Sequence, residues 1–72
     1  MSKLPRISGR ELIKVLEKIG FSPTRTRGSH VILKDANGRM VVVPLDNEIG
    51  PGLLNAILAE VGLTRQQFLS LI

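Results

Sequence analysis

The chain has 72 residues, a net charge of +4, no cysteine and two aromatic side chains, both phenylalanine. That is one domain, residues 1–72, which at this size buries only about 60% of its unfolded surface and has no disulfide to offset the shortfall. It also lacks thiolates for a metal cage, and its longest wholly apolar run, the six residues from Met40 to Leu45, is far too short to span a membrane. Met1-Ser2-Lys3-Leu4-Pro5-Arg6 lacks the apolar run of a signal peptide, so a cytoplasmic protein is expected.

Charge is unevenly placed. Residues 1–40 hold nine Lys and Arg against Glu11, Glu17 and Asp35, a net +6. Residues 41–72 hold only Arg65 against Asp46, Glu48 and Glu60, a net −2. A one-sided basic field suits a polyanionic partner such as nucleic acid, although the same charge also serves solubility.

Ser8-Gly9-Arg10-Glu11 has the form of a capping box. Leu12, Leu16 and Ile19 follow at helical spacing with Ile13 beside them, and Gly20 is the stop, which predicts a helix over Gly9 to Ile19. Phe21 to Arg27, with Pro23 inside it, reads as a short edge strand. Gly28-Ser29 is the residue pair of a two-residue type II′ reversal, so His30, the sole histidine, leads a second strand, Val31 to Lys34. Asn37-Gly38 reads as a second two-residue hairpin, feeding a third strand from Arg39 to Val43 that Pro44 ends; Leu45 to Ile49 is a loop. Gly50-Pro51 opens a helix with Leu53, Leu54, Ile57, Leu58 and Val61 as its stripe and Gly62 as its end. Thr64-Arg65-Gln66-Gln67 caps a last short helix carrying Phe68, Leu69 and Ile72. The fold class is α+β: α-β-β-β-α with a short C-terminal helix, and helices on one face of a three-stranded antiparallel sheet.

Two-residue loops would pair Arg27 with His30 and Arg25 with Ile32, then Lys34 with Val41 and Ile32 with Val43. Opposed residues share a face. One face therefore collects Arg25, Arg27, His30, Ile32, Lys34, Arg39, Val41 and Val43. Thr24, Thr26, Val31, Leu33, Met40 and Val42 fall on the other, under the helices. A slip of one residue would exchange the two sets.

A lone histidine near a turn is usually only a surface residue. Three cations on its face give it a chemical setting. RNA cleavage through the 2′-hydroxyl needs a group that exchanges protons near neutral pH and cations to stabilise charge growing on phosphate. His30 supplies the first; Arg25, Arg27 and Lys34 supply the second as RNA contacts. A second acid/base group is missing from this set. Ser29 is no nucleophile for His30, since neighbours in extended chain point apart. One histidine with scattered carboxylates gives no metal-ligand spacing, and no metal or other cofactor is expected. With Phe21 and Phe68 as the only aromatics there is no stacking platform. Ile32, Val41 and Val43, apolar on the open face, read instead as a protein-docking patch.

These residues, in this order, resemble the HicA toxins of bacterial and archaeal toxin–antitoxin pairs. The likeness runs through Ser8-Gly9-Arg10-Glu11-Leu12 with Leu16 and Gly20-Phe21, Arg27-Gly28-Ser29-His30, Asn37-Gly38-Arg39 and Val42-Val43-Pro44. It continues in Gly52-Leu53-Leu54, Ile57-Leu58, Gly62-Leu63 and Phe68-Leu69. The resemblance implies a double-stranded-RNA-binding-domain-like fold, an mRNA endoribonuclease activity and a HicB-like antitoxin that silences it. It places the catalytic histidine at His30, with Gly28 and Ser29 as the turn that positions it. Many members have a second histidine directly after the first and another after the Val-Pro-Leu stretch; here those places hold Val31 and Asp46, which makes Asp46 the candidate second acid/base. The expected function is a toxin cleaving mRNA without metal, its antitoxin held by Ile32, Val41 and Val43. The alternatives are a non-catalytic RNA-binding module of the same fold and a purely protein-binding domain.

Overall fold

The computed structural model describes residues 4–72; Met1 to Lys3, on which part of the signal-peptide expectation rests, lie outside the described residues. Helix α1 spans Gly9–Lys18. The Ser8 hydroxyl accepts the Glu11 N–H at 3.1 Å and the Glu11 carboxylate accepts the Ser8 N–H at 3.0 Å, so two otherwise orphaned donors are satisfied. The bond from the Ser8 N–H, reinforced by that with its side chain, holds the Glu11 carboxyl below its ordinary pKa. Ile19 caps the far end rather than extending it.

Strands β1 (Ser22–Arg27), β2 (His30–Lys34) and β3 (Met40–Pro44) form an antiparallel sheet in that order. Phe21 stands just outside β1 with its ring in the core. The first turn is as expected: Gly28 has φ +59°, Ser29 does not have a positive φ, and Arg27 faces His30.

The second hairpin is not. Lys34 pairs with Met40, Ile32 with Val42 and Val31 with Val43, one residue away from the expected register. A type I′ turn needs φ > 0 at both central residues, yet Gly38 has φ +83° and Asn37 does not have a positive φ. The loop has three residues, Ala36 to Gly38. The Gly38 N–H donates to the Asp35 carbonyl (3.1 Å) and the Asp35 N–H to the Arg39 carbonyl (3.0 Å), the pattern of a type I turn followed by a left-handed glycine. The added residue exchanges the faces of β3: Val41 and Val43 are buried, while Met40 (56%) and Val42 (41%) are exposed. The expectation that Val41 and Val43 lie on the open face is therefore corrected. Pro44, expected to terminate the strand, is its last residue, opposite His30.

Helix α2 (Pro51–Val61) runs between Gly50 and Gly62, and α3 (Arg65–Leu71) starts at the Thr64–Gln67 capping box. Both pack with α1 on the face of the sheet that carries Val31, Leu33, Val41 and Val43. The buried positions of α2 are Leu54, Ile57, Leu58 and Val61, a stripe at i, i+3, i+4 and i+7. Leu53 is turned about 100° from Leu54 and is 44% exposed. Likewise α1 buries Val15 with Leu12 and Leu16. The ammonium of Lys18 donates to the Leu71 carbonyl at 2.7 Å, tying α3 to α1. Among the described residues no helix is long and apolar enough to cross a membrane.

Candidate nucleic-acid interface

The sheet face turned away from the helices is organised in three rows of opposed residues, Ser22–Lys34–Met40, Arg25–Ile32–Val42 and Arg27–His30–Pro44, of which Pro44 is buried where β3 meets the start of α1. The rows depend on a bulge. Regular pairing beyond Arg25–Ile32 would set Pro23 against Lys34; instead Thr24 is an extra residue, Pro23 meets Leu33 and Ser22 meets Lys34. The Thr24 hydroxyl donates to the Ile32 carbonyl at 3.1 Å and pins the irregularity. Pro23 thereby turns to the helix side, where with Thr26 and Val31 it lines a groove of about 480 Å³ against Arg10, Ile13 and Lys14 of α1. Ser22 takes its place beside Lys34.

Arg25, Arg27, His30 and Lys34 are all exposed, and Ile32 is half-buried between them. The structure brings these five expected site residues onto one face. The ion pairs among the described residues are Arg6–Glu48 (3.9 Å) and Arg39–Asp35 (3.0 Å), so Arg25, Arg27 and Lys34 carry charge that no described carboxylate neutralises. Arg39, expected on this face, is committed elsewhere. Its Nε donates to Asp35, its guanidinium lies 5.8 Å from the Phe21 ring centroid, and its Nη1 stands 3.7 Å from where a side chain on Gly62 would begin. A cation at that place faces the negative end of α2 and fastens the hairpin to the core.

His30 opens β2 directly after the Gly28-Ser29 turn. The Leu45 N–H donates to the Ser29 carbonyl at 2.7 Å, which ties that turn to the chain leaving β3 and carries Asp46 alongside. The Asp46 carbonyl accepts the Gly9 N–H at 2.9 Å; its carboxylate is exposed and forms no ion pair with His30. Asp46 is thus held through its backbone, one residue beyond the Leu45–Ser29 bond. Among the described residues no three His, Asp or Glu side chains converge as metal ligands would. Val41 and Val43 are not part of the site. Met40, Val42 and Ser22 are the residues that share the open face with His30, and sequence reasoning missed them. For β3 a signal was present: Asp35-Ala36-Asn37-Gly38 has Asp first and Gly fourth, the preference of a type I turn. For β1 the local signal was Pro23, since proline within a strand marks an edge or a bulge; it does not say which residue is the extra one.

Unneutralised cations in register with an exposed imidazole can bind phosphate and exchange a proton at the same place. Residues 9–63 match the model of the family described as the HicA toxin of bacterial toxin–antitoxin. No curated protein sequence matches the chain.

Proposed function

The chain belongs to the HicA toxin family of bacterial toxin–antitoxin systems, and from that premise we propose that it is an endoribonuclease whose proton-transfer group is His30. The observation that carries this is the row Arg27–His30, exposed and without a described carboxylate partner, next to Arg25 and Lys34. Histidine is the side chain whose ordinary titration lies nearest neutral pH. Cleavage then runs within the RNA strand: the 2′-oxygen bonds to phosphorus, the bond from phosphorus to the 5′-oxygen breaks, and a 2′,3′-cyclic phosphate remains. One proton leaves the 2′-hydroxyl and one reaches the departing 5′-oxygen. His30 handles one of these, and Asp46 or solvent the other. Arg25, Arg27 and Lys34 stabilise the charge that grows on the phosphate oxygens, and no metal enters the scheme. Val31 does not deprive the site of a group, because position 31 points into the core.

The partner is an antitoxin of HicB-like type, acidic where it meets the cations, docked over the open face at Ile32 with Met40 and Val42. These last two replace Val41 and Val43 in the docking patch. It silences the toxin by occupying the path of the RNA, in the cytoplasm where mRNA is found.

The test is induced expression of the wild-type chain and of His30→Ala, followed by turnover measurements on purified protein. His30→Ala should abolish growth arrest and lower turnover by about 10²- to 10⁴-fold, with RNA affinity largely kept because the cations remain. Asp46→Asn is the companion: a comparable loss makes Asp46 the second acid/base, and full activity leaves that role to solvent. Cleavage that persists in His30→Ala would place the chemistry on other residues.

A further inference from the structure

Resting on the RNA-cleaving reading, we infer that the open face takes a single, unpaired RNA strand in a track that lies on one side of the scissile phosphate only, with Ser22, Met40 and Val42 as further contact residues. The three rows are spaced by two residues along β2, about 6.8 Å, a step that an unstacked sugar–phosphate unit can span. The cations fall one to a row: Arg27 in the row of His30, Arg25 in the next, Lys34 with Ser22 in the last. All stand in the β1 and β2 columns of the sheet. The β3 column offers Val42 and Met40, exposed and uncharged, with Ile32 half-buried beside them. Phosphates over the first columns therefore leave the bases above an apolar strip. Bases already paired in a duplex could not turn to meet that strip, so the track selects single strands.

The asymmetry comes from where His30 sits. Its row is the last of the sheet; beyond it are the Gly28-Ser29 turn and the exit of β3, where Asp46 is an exposed carboxylate and Glu48 is paired with Arg6. Two further phosphates on one flank of the cleaved bond meet cations of the sheet, and the sheet offers none to those on the other flank. The face thus holds the strand from one side and leaves the other free to depart.

The experiment uses an unstructured oligoribonucleotide with one cleavage site and a single neutral methylphosphonate linkage moved along it. Neutral linkages at the first and second positions of one flank should raise KM severalfold, and those of the opposite flank should leave it unchanged. Arg25→Ala should erase the penalty at the first position and Lys34→Ala at the second, a pairing that general loss of structure cannot produce. Each of the two substitutions should also flatten the log–log salt dependence of binding by about 0.7, from a total near −2 for three phosphates. The same scan, read as binding to His30→Ala, reports the footprint without turnover. Penalties on both flanks, on neither, or unlinked to Arg25 and Lys34 overturn the track. A one-sided binding footprint without any cleavage by the wild-type chain instead sinks the catalytic reading beneath it and leaves the track standing.

Discussion

Glycine at position 9 begins α1 with its Cα against the carbonyl group of Pro44 and, at 3.0 Å from where a Cβ would stand, the Leu45 Cα. Its N–H meanwhile donates to Asp46. Elsewhere in a helix, Gly→Ala stabilises by about 0.5–1 kcal/mol. Here the added methyl has backbone on its far side that cannot rotate away, and overpacking of that kind costs about 1–3 kcal/mol. The second effect is the larger, so Gly9→Ala should lower the urea midpoint with the slope unchanged. Because Leu45 also holds Ser29, the histidine turn should shift and turnover should fall with it. A midpoint equal to or above wild type would show that the approach is slack. The role of Gly9 was not legible in the sequence, where it is simply the second residue of a capping box; the group it must admit arrives from the end of β3. The place of His30 on the open face was legible, because the glycine-containing turn that sets it opposite Arg27 is its immediate neighbour in the chain.

Among the elements, the β2–β3 hairpin decides what the open face contains. Helix ends, strand order and the first turn follow from local chemistry, and each was readable: the capping boxes at Ser8 and Thr64, the proline at the start of α2, glycine at Gly28. The Asn37-Gly38 pair was readable only as a turn. Whether it fills a two-residue or a three-residue loop depends on Asp35, whose carboxylate accepts the N–H groups of Asn37 (3.0 Å) and Arg39 (2.8 Å) and the Arg39 guanidinium (3.0 Å). Partial desolvation pushes the Asp35 pKa up, but the bonds from Arg39 and Asn37 outweigh it and hold the carboxyl below its ordinary value. A carboxyl lowered on folding contributes stability above its unfolded pKa of about 3.9, and that contribution disappears as pH falls through the folded value. Wild type should therefore lose more stability than Asp35→Asn on going from neutral pH into that acid range. At neutral pH Asp35→Ala should be the least stable of the three, with amide exchange accelerated first in Met40 to Pro44. Parallel acid profiles for wild type and Asp35→Asn would mean that the carboxylate does not hold the loop.

At the scale of the whole molecule, two surfaces of opposite character meet at β3. The sheet carries unpaired cations on one side and the core on the other, so neighbouring residues of that strand have unrelated fates. Val41 is 2% exposed and Val42 41%. An aspartate at 41 would place an unpartnered charge in the core, a change that costs several kcal/mol in a domain whose entire stability is on the order of 5–15 kcal/mol. Val41→Asp should not fold. An aspartate at 42 remains in solvent and costs at most about 1 kcal/mol through strand preference, so Val42→Asp should keep the wild-type circular dichroism and thermal transition. Its effect belongs to the partner. An antitoxin seated over Ile32, Met40 and Val42 and supplying carboxylates to Arg25, Arg27 and Lys34 would meet a buried like charge at the centre of its contact, where charge is least tolerated. Calorimetry should then show antitoxin affinity reduced at least about tenfold, the equivalent of 1.4 kcal/mol, and co-expression should no longer restore growth. If Val42→Asp binds the antitoxin as wild type does, the open face is left to RNA alone, and the partner must silence the toxin from the helical side.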